Sequence, residues 1–267
     1  MSNWEAMVER TTILRADIGS HGFGLNTDGS DYDHKGVCIE DYSSYVRLEG
    51  KFEQFNRKFP VTDTFPGMDL EIFSLEKFIR LALNGNPTVL SLLFAAPVAI
   101  DERGKALQAM APRIVSQRAG KAFLGYMESQ RQKLKGEIGQ KRVTRTDLIE
   151  KHGFDTKFAM HLLRLGMQGI EIMETGRLTM PFVGTNRDFL RSVREGKVSL
   201  DNVLQKAGDL ERSLRDLLGH SPLPDLPDYE FVDTWMRSMY WHTWTGRDKQ
   251  EFLLRRTELW DEAPVVH

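Results

Sequence analysis

One cysteine stands in 267 residues, Cys38, so an internal disulfide and a multi-cysteine zinc site are both excluded, which fits a reducing compartment. Long apolar runs are missing too. None approaches the roughly 18 residues of a membrane span, and Met1 to Arg10 has no apolar centre of the kind a signal peptide carries. The expectation is a cytoplasmic protein that does not enter a membrane. Excess charge is absent as well: 36 Lys and Arg face 38 Asp and Glu, a net charge of −2. A chain this neutral has no bulk attraction to nucleic acid, so any such contact needs a local basic patch.

Three common catalytic signatures are not met. Gly120-Lys121 is followed by Ala122, where a phosphate-binding P-loop needs Ser or Thr. Thr27 stands where the last glycine of a dinucleotide fingerprint belongs, and Ile18 where a nucleophile elbow needs glycine.

What is present is concentrated between Asp17 and Val37. Ile13, Leu14, Ala16 and Ile18 fit a short buried strand that Gly19-Ser20 ends. Gly19, Gly22 and Gly24 let the backbone come close to a bulky anion, and free amides at the start of a following helical turn favour phosphate. On the next strand Asp31 and Asp33 project to one side with Tyr32 opposite. Two such close carboxylates repel unless a cation sits between them, and Mg²⁺ takes oxygen ligands.

Gly19-Ser20-His21-Gly22-Phe23-Gly24 followed by Ser30-Asp31-Tyr32-Asp33-His34-Lys35-Gly36-Val37 resembles the signature of the DNA polymerase beta-like nucleotidyltransferase superfamily. The pattern GSHxYG…SDxDxxGV is similar to its RNA-repair-associated, RlaP-type branch, with Phe23 in place of a frequent tyrosine. The likeness continues through Asp69-Leu70-Glu71, Ser74-Leu75-Glu76-Lys77-Phe78, Asn86-Pro87-Thr88-Val89-Leu90, Gly125-Tyr126 and His161-Leu162-Leu163-Arg164-Leu165, roughly the first two-thirds of the chain. The family often has glutamate where Ser91 stands.

Along the rest of the chain, Trp4 to Arg10 reads as a helix, and Arg47 to Thr64 as a hairpin or loop over the site. Met68 to Phe73 alternates as a half-buried strand does. The resemblance implies a third carboxylate there, Asp69 by position; Glu71 points the same way, and spacing does not choose between them. Ser74 caps a helix through Leu83 that Asn84-Gly85 stops. Thr88 to Phe94 reads as core.

Strand signals fade near residues 100 to 110, and Arg113 to Lys135 reads as one long helix. Arg131, Lys133, Lys135, Lys141, Arg142 and Arg145 form either a solvated face or a phosphate track. Asp155 or Thr156 starts a helix to about Glu174. On it Lys157, His161 and Arg164 share a face, fit either to reach nucleotide phosphates or to pack. Asn186 begins a further helix, and Ser199 caps one with a continuous leucine stripe. After the stiff Pro222–Pro227 link, Tyr229, Phe231, Trp235, Tyr240, Trp241 and Trp244 form either a docking face or a stacking platform.

The expected fold is α/β: a small mixed-sheet nucleotidyltransferase palm over residues 1–105, a mostly helical domain over 106–260 and a frayed tail from Asp261 to His267. The resemblance implies an enzyme in which Asp31, Asp33 and Asp69 hold two Mg²⁺ ions and Gly19, Ser20, His161 and Arg164 hold a nucleoside triphosphate. NMP transfer to an RNA or tRNA end would release pyrophosphate. A protein or small-molecule acceptor, or a non-catalytic nucleotide or RNA sensor, is the alternative.

Overall fold

In the computed structural model, which describes residues 3–48, 50–135 and 145–246, α1 (Asn3–Thr11) runs directly into β1 (Thr12–Asp17). A glycine turn leads to β2 (Tyr32–Cys38), then α2 (Tyr42–Tyr45), β3 (Gln54–Phe59) and β4 (Met68–Ser74). Of the two expectations for residues 47–64, the hairpin is what forms: β3 is one arm, antiparallel to β4. The hydroxyl of Ser74 accepts the Lys77 amide and starts α3 (Leu75–Leu83); Asn86 caps α4 (Pro87–Leu92) in the same way. A last strand, β5 (Pro97–Ile100), which periodicity does not announce, completes one sheet in the order β3-β4-β2-β1-β5. Only β2 and β4 run parallel; the other neighbours are antiparallel.

After β5 the described chain is helical: α5 (Glu102–Ala109), α6 (Ala111–Ile114), α7 (Gln117–Leu134), α8 (Thr146–His152) and α9 (Thr156–Thr175). They are followed by α10 (Gly184–Arg194), α11 (Leu200–Leu217) and α12 (Tyr229–Thr245). Asp155, rather than Thr156, is the cap of α9, accepting the amides of Lys157 and Phe158. The helix expected from Asn186 begins two residues earlier, at Gly184.

The single helix expected over Arg113 to Lys135 is instead broken at Val115-Ser116, whose backbone is extended. The cause lies a hundred residues away. The proline-rich link crosses this point, where Gln117 donates its amide to Pro224 (2.9 Å) and Asp228 donates its own to Arg113 (2.9 Å). An Arg113–Asp228 ion pair of 2.9 Å adds to the staple.

The two faces of the sheet are covered differently. Met7 and Val8 of α1 pack on Cys38, Ile72 and Phe52. The opposite face buries Val37 and Phe73 in the main core with Phe78, Leu90, Phe123, Leu162 and Leu214. Each large apolar side chain buried there contributes about 1.5–3 kcal/mol. An exposed pair such as Arg10–Asp41 (2.6 Å) contributes about 0–1, so apolar burial decides the fold.

Of the two expectations for the aromatic segment, docking describes α12. Trp235 and Tyr240 are buried; Tyr240 donates its hydroxyl to Glu40 Oε1 (3.1 Å) and Trp244 Nε1 donates to the Glu40 carbonyl (2.8 Å). The rings of Phe231 and Tyr229, which face water, carry the protein's own Arg113 and Arg118 guanidinium groups at 4.7 and 5.5 Å. Asp261 to His267, Lys141 and Arg142 lie outside the described residues.

Candidate active site

The site begins where β1 stops. Asp17 accepts the Gly19 amide at its Oδ1 (2.8 Å), and Ile18 donates to the Asp33 carbonyl (2.8 Å), which locks the turn to β2. The turn closes on itself through Phe23 N to Gly19 O (3.1 Å) and Leu25 N to Ser20 O (2.8 Å). The Phe23–Gly19 bond closes one helical turn, and the chain then leaves it as coil. Among the described residues the amides of Ser20, His21 and Gly22 have no acceptor. Three adjacent unpaired N–H groups in a tight turn make an anion-binding concavity without a helix dipole.

The glycines are needed for space. A Cβ at Gly19 would lie 2.2 Å from Asp33 Oδ2, and one at Gly22 would lie 1.9 Å from the Asp17 carbonyl oxygen. The loop backbone therefore runs directly against the carboxylate of Asp33. His21 serves the loop's outer side: its Nε2 meets the Ser30 carbonyl (3.0 Å) and its ring stacks on Tyr32 (4.3 Å).

Asp33 and Asp69 are register partners across the parallel β2–β4 pair, and Lys35 and Glu71 are partners one step on. Asp31 precedes β2 and is exposed. The two candidates for a third carboxylate are thus distinguished by their neighbours: Asp69 lies beside Asp33 and pairs with Lys58, whereas Glu71 forms an ion pair with Lys35. Burial raises the Asp33 carboxyl above its ordinary pKa, and the charge of Asp31 adds to this; Lys157 and Lys35 oppose it. Among the described residues, no three His, Cys, Asp or Glu side chains gather closely enough to hold a metal ion alone.

From the helical side, α9 reaches this loop. The Arg164 guanidinium lies 3.9 Å from the centroid of the Phe23 ring, donates to Gln168 Oε1 (2.7 Å) and meets His161 Nδ1 (3.0 Å). It is buried, and its partners are neutral. Burial lowers its pKa to about 9, so it stays cationic at neutral pH. Burial, then the charges of Arg164, Lys157, Lys133 and Arg145, holds His161 well below its ordinary pKa and leaves it a neutral acceptor. A buried cation without a carboxylate is costly unless an anion arrives.

Other expectations fare differently. Arg131 is paired with Glu211 of α11 (2.9 Å) and Arg145 with Asp155, the cap of α9 (3.2 Å), so these two members of the basic run tie helices together. Ser91, where glutamate is frequent in the family, is buried in α4 and donates to the Pro87 carbonyl (2.9 Å). Lys58 and Asn56 are the additions that the spacing did not reveal. They alternate on β3, where Gln54, Asn56 and Lys58 share the face of Asp69 and Glu71.

Comparison with known proteins gives the family. The model of one family, described as RlaP, RNA repair pathway DNA polymerase beta family, matches residues 1–238. An uncharacterised 38.9 kDa protein from the nrdC-mobD intergenic region of Enterobacteria phage T4 is 24% identical over 146 residues, which is 52% of this chain and 43% of that protein. The chain therefore matches less than half the length of this curated relative. A solved nucleotidyltransferase-like protein from Exiguobacterium sibiricum 255-15 shares 11% identity at a TM-score of 0.31, covering 82% of this chain and 72% of that one. The class is nucleotidyltransferase-like, of the DNA polymerase beta type. Within it, the chain belongs to the RlaP family, and the match extends beyond the first two-thirds into α12.

Proposed function

We propose that the protein is a Mg²⁺-dependent nucleotidyltransferase that moves NMP from a nucleoside triphosphate to an RNA or tRNA end. One observation carries this reading: the backbone of Gly19, next to three unpaired amides, abuts the carboxylate of Asp33, with Asp69 in register beside it. Phosphate donors and cation ligands in direct contact serve a metal-bound triphosphate.

The residues fit the ion. Mg²⁺ is usually held by one or two carboxylates, with waters and substrate phosphates completing its shell; Asp33 and Asp31 lie close enough to feel each other's charge and Asp69 is in register with Asp33, so hard oxygens are at hand. Bound there, Mg²⁺ would neutralise charge on the triphosphate and lower the pKa of the attacking hydroxyl. The chain's own part is positioning. The Ser20, His21 and Gly22 amides hold phosphate oxygens, and Lys157, Arg164 and neutral His161 close on them from α9. The acceptor oxygen then forms a bond to the α-phosphorus, the bond from that phosphorus to the bridging oxygen breaks, pyrophosphate leaves and the hydroxyl proton passes to water.

The test is pyrophosphate release with each nucleoside triphosphate in Mg²⁺, with and without small RNA, for wild type and for Asp31→Asn plus Asp33→Asn. Release that needs RNA and vanishes in the double variant is the expected result. Release that ignores RNA and labels a protein or a small hydroxyl compound would replace the acceptor. Tight nucleotide binding with no release under any condition would point to a sensor.

A further inference from the structure

The sheet face that carries the carboxylates is not fully covered by the helices. Strand register arranges it in rows: Asp33, Asp69 and Lys58 in the first, Lys35, Glu71 and Asn56 in the second. In the third row Val37 and Phe73 are buried, and Gln54 is held by Lys77 (2.8 Å), which closes that end. The first two rows line an open polar trough of about 620 Å³. That volume is within the range of small-molecule sites, roughly 300–1,000 Å³. Its walls are lysine, carboxylate and amide, the groups that bond to a sugar, a phosphate and the edge of a base.

Position decides what enters it. The glycine loop extends from β1, and the sheet order puts β2 and β4 between that loop and β3. The carboxylates therefore stand between the triphosphate side and the trough. Phosphoryl-type transfer is in line, so the attacking oxygen arrives opposite the leaving pyrophosphate. With the triphosphate on the loop, the acceptor comes from the trough.

We infer that the trough over β3 and β4 is the acceptor subsite, holding the terminal nucleotide of an RNA. Asn56 meets its base or sugar and Lys58 its phosphate. The inference rests on the proposed transfer reaction for the identity of its occupant. Lys58 sits at the rim, 82% exposed, and its ammonium pairs with Asp69 (2.5 Å). It is free to swing from Asp69 to a phosphate when a cation takes its place. Asn56 is exposed on an edge strand and has no hydrogen bond from its side chain among the described residues, so replacing it leaves the fold intact.

The experiment uses the full chain and an RNA oligonucleotide carrying 4-thiouridine at its terminal position, placed in turn at the 3′ and the 5′ end. Irradiation and peptide mapping should find the cross-link within residues 54–58 for one of the two ends. Asn56→Trp, which fills the trough, should raise the RNA concentration for half-maximal pyrophosphate release about tenfold or more and leave nucleoside triphosphate binding unchanged. Asn56→Ala should do the same more weakly. Cross-links confined to α8 and α9, with Asn56→Trp indistinguishable from wild type, would overturn the assignment. If no RNA supports release, the cross-link still decides: one on β3 keeps the subsite and removes the reaction, and none on β3 removes the subsite.

Discussion

Asp33 and Glu40 stand seven residues apart on one run of chain, and the protein treats their carboxyl groups in opposite ways. Glu40 is fully buried, receives the Tyr240 hydroxyl, and burial pushes its pKa up to about 7. The cost of burial is answered from within the protein, largely by protonation and a hydrogen bond. Asp33 is also raised, by burial and then by Asp31, yet among the described residues no side chain hydrogen-bonds to its carboxylate; instead a backbone loop with three unpaired amides lies there. The acid that joins two elements is given a hydrogen-bond donor on one oxygen by the protein itself, whereas the one at the glycine loop receives none from a side chain among the described residues.

Breaking the Asp33 side has the largest expected effect. Asp33→Asn removes a charge that the fold disfavours, so thermal stability should hold or rise while pyrophosphate release falls by about a thousandfold or more. A melting curve and a release assay on the same sample check both. Equal loss of activity and of folded protein would make Asp33 a structural residue.

The two glycines sharpen the same contrast. Gly19→Ala drives a methyl group into the Asp33 carboxylate, and Gly22→Ala drives one into the Asp17 backbone carbonyl. A side chain gives way more easily than backbone. Gly19→Ala should therefore weaken nucleotide binding about tenfold or more with the fold retained, and Gly22→Ala should cost about 1–3 kcal/mol of stability. Nucleotide titration and urea unfolding separate the two.

On the buried side the expected effect is a slope with pH. The folded Glu40 carboxyl, at about 7 against an ordinary 4.5, keeps a proton that the unfolded chain releases. Stability from this group is complete below pH 4.5 and is lost as pH rises through about 7, on the order of 3 kcal/mol across the window. Glu40→Gln, which does not titrate, should flatten that part of the stability curve. Urea unfolding at intervals between pH 4.5 and 8 reads it, and an unchanged slope would assign the dependence to another group.

How much of this was legible in the sequence follows from distance along the chain. The β1–turn–β2 unit and the caps Ser74, Asp155 and Ser199 are local, and their residues declare them. β3 was ambiguous because its polar alternation gains meaning only in register with β4. The break at Val115-Ser116 was hidden because its partners, Pro224 and Asp228, arrive from far down the chain. Helical spacing puts Arg164 on one face with His161, but that its guanidinium rests on Phe23 depends on how α9 meets the loop. Spacing does not separate Asp69 from Glu71; register beside Asp33 or Lys35, and the ion partners Lys58 and Lys35, tell them apart.

The smallest expected effect tests whether α12 is a clasp or a bystander. The Tyr240 hydroxyl donates to Glu40 and accepts the Glu76 amide (3.0 Å) in the first turn of α3, so one oxygen ties three elements together. Tyr240→Phe keeps the ring and its packing against Tyr45 and Trp244 (5.1 and 4.8 Å) and removes that oxygen alone. The buried Glu40 oxygen and the half-buried Glu76 amide then lose a partner, at about 1–3 kcal/mol in all, and a chain of this size should melt about 2–4 °C lower per kcal/mol. Because Glu40 lies away from the Asp33 loop, nucleotide affinity should be unchanged. A melting shift without a change in affinity keeps the two acidic centres independent; a fall in both would mean that α12 helps to hold the active face of the sheet.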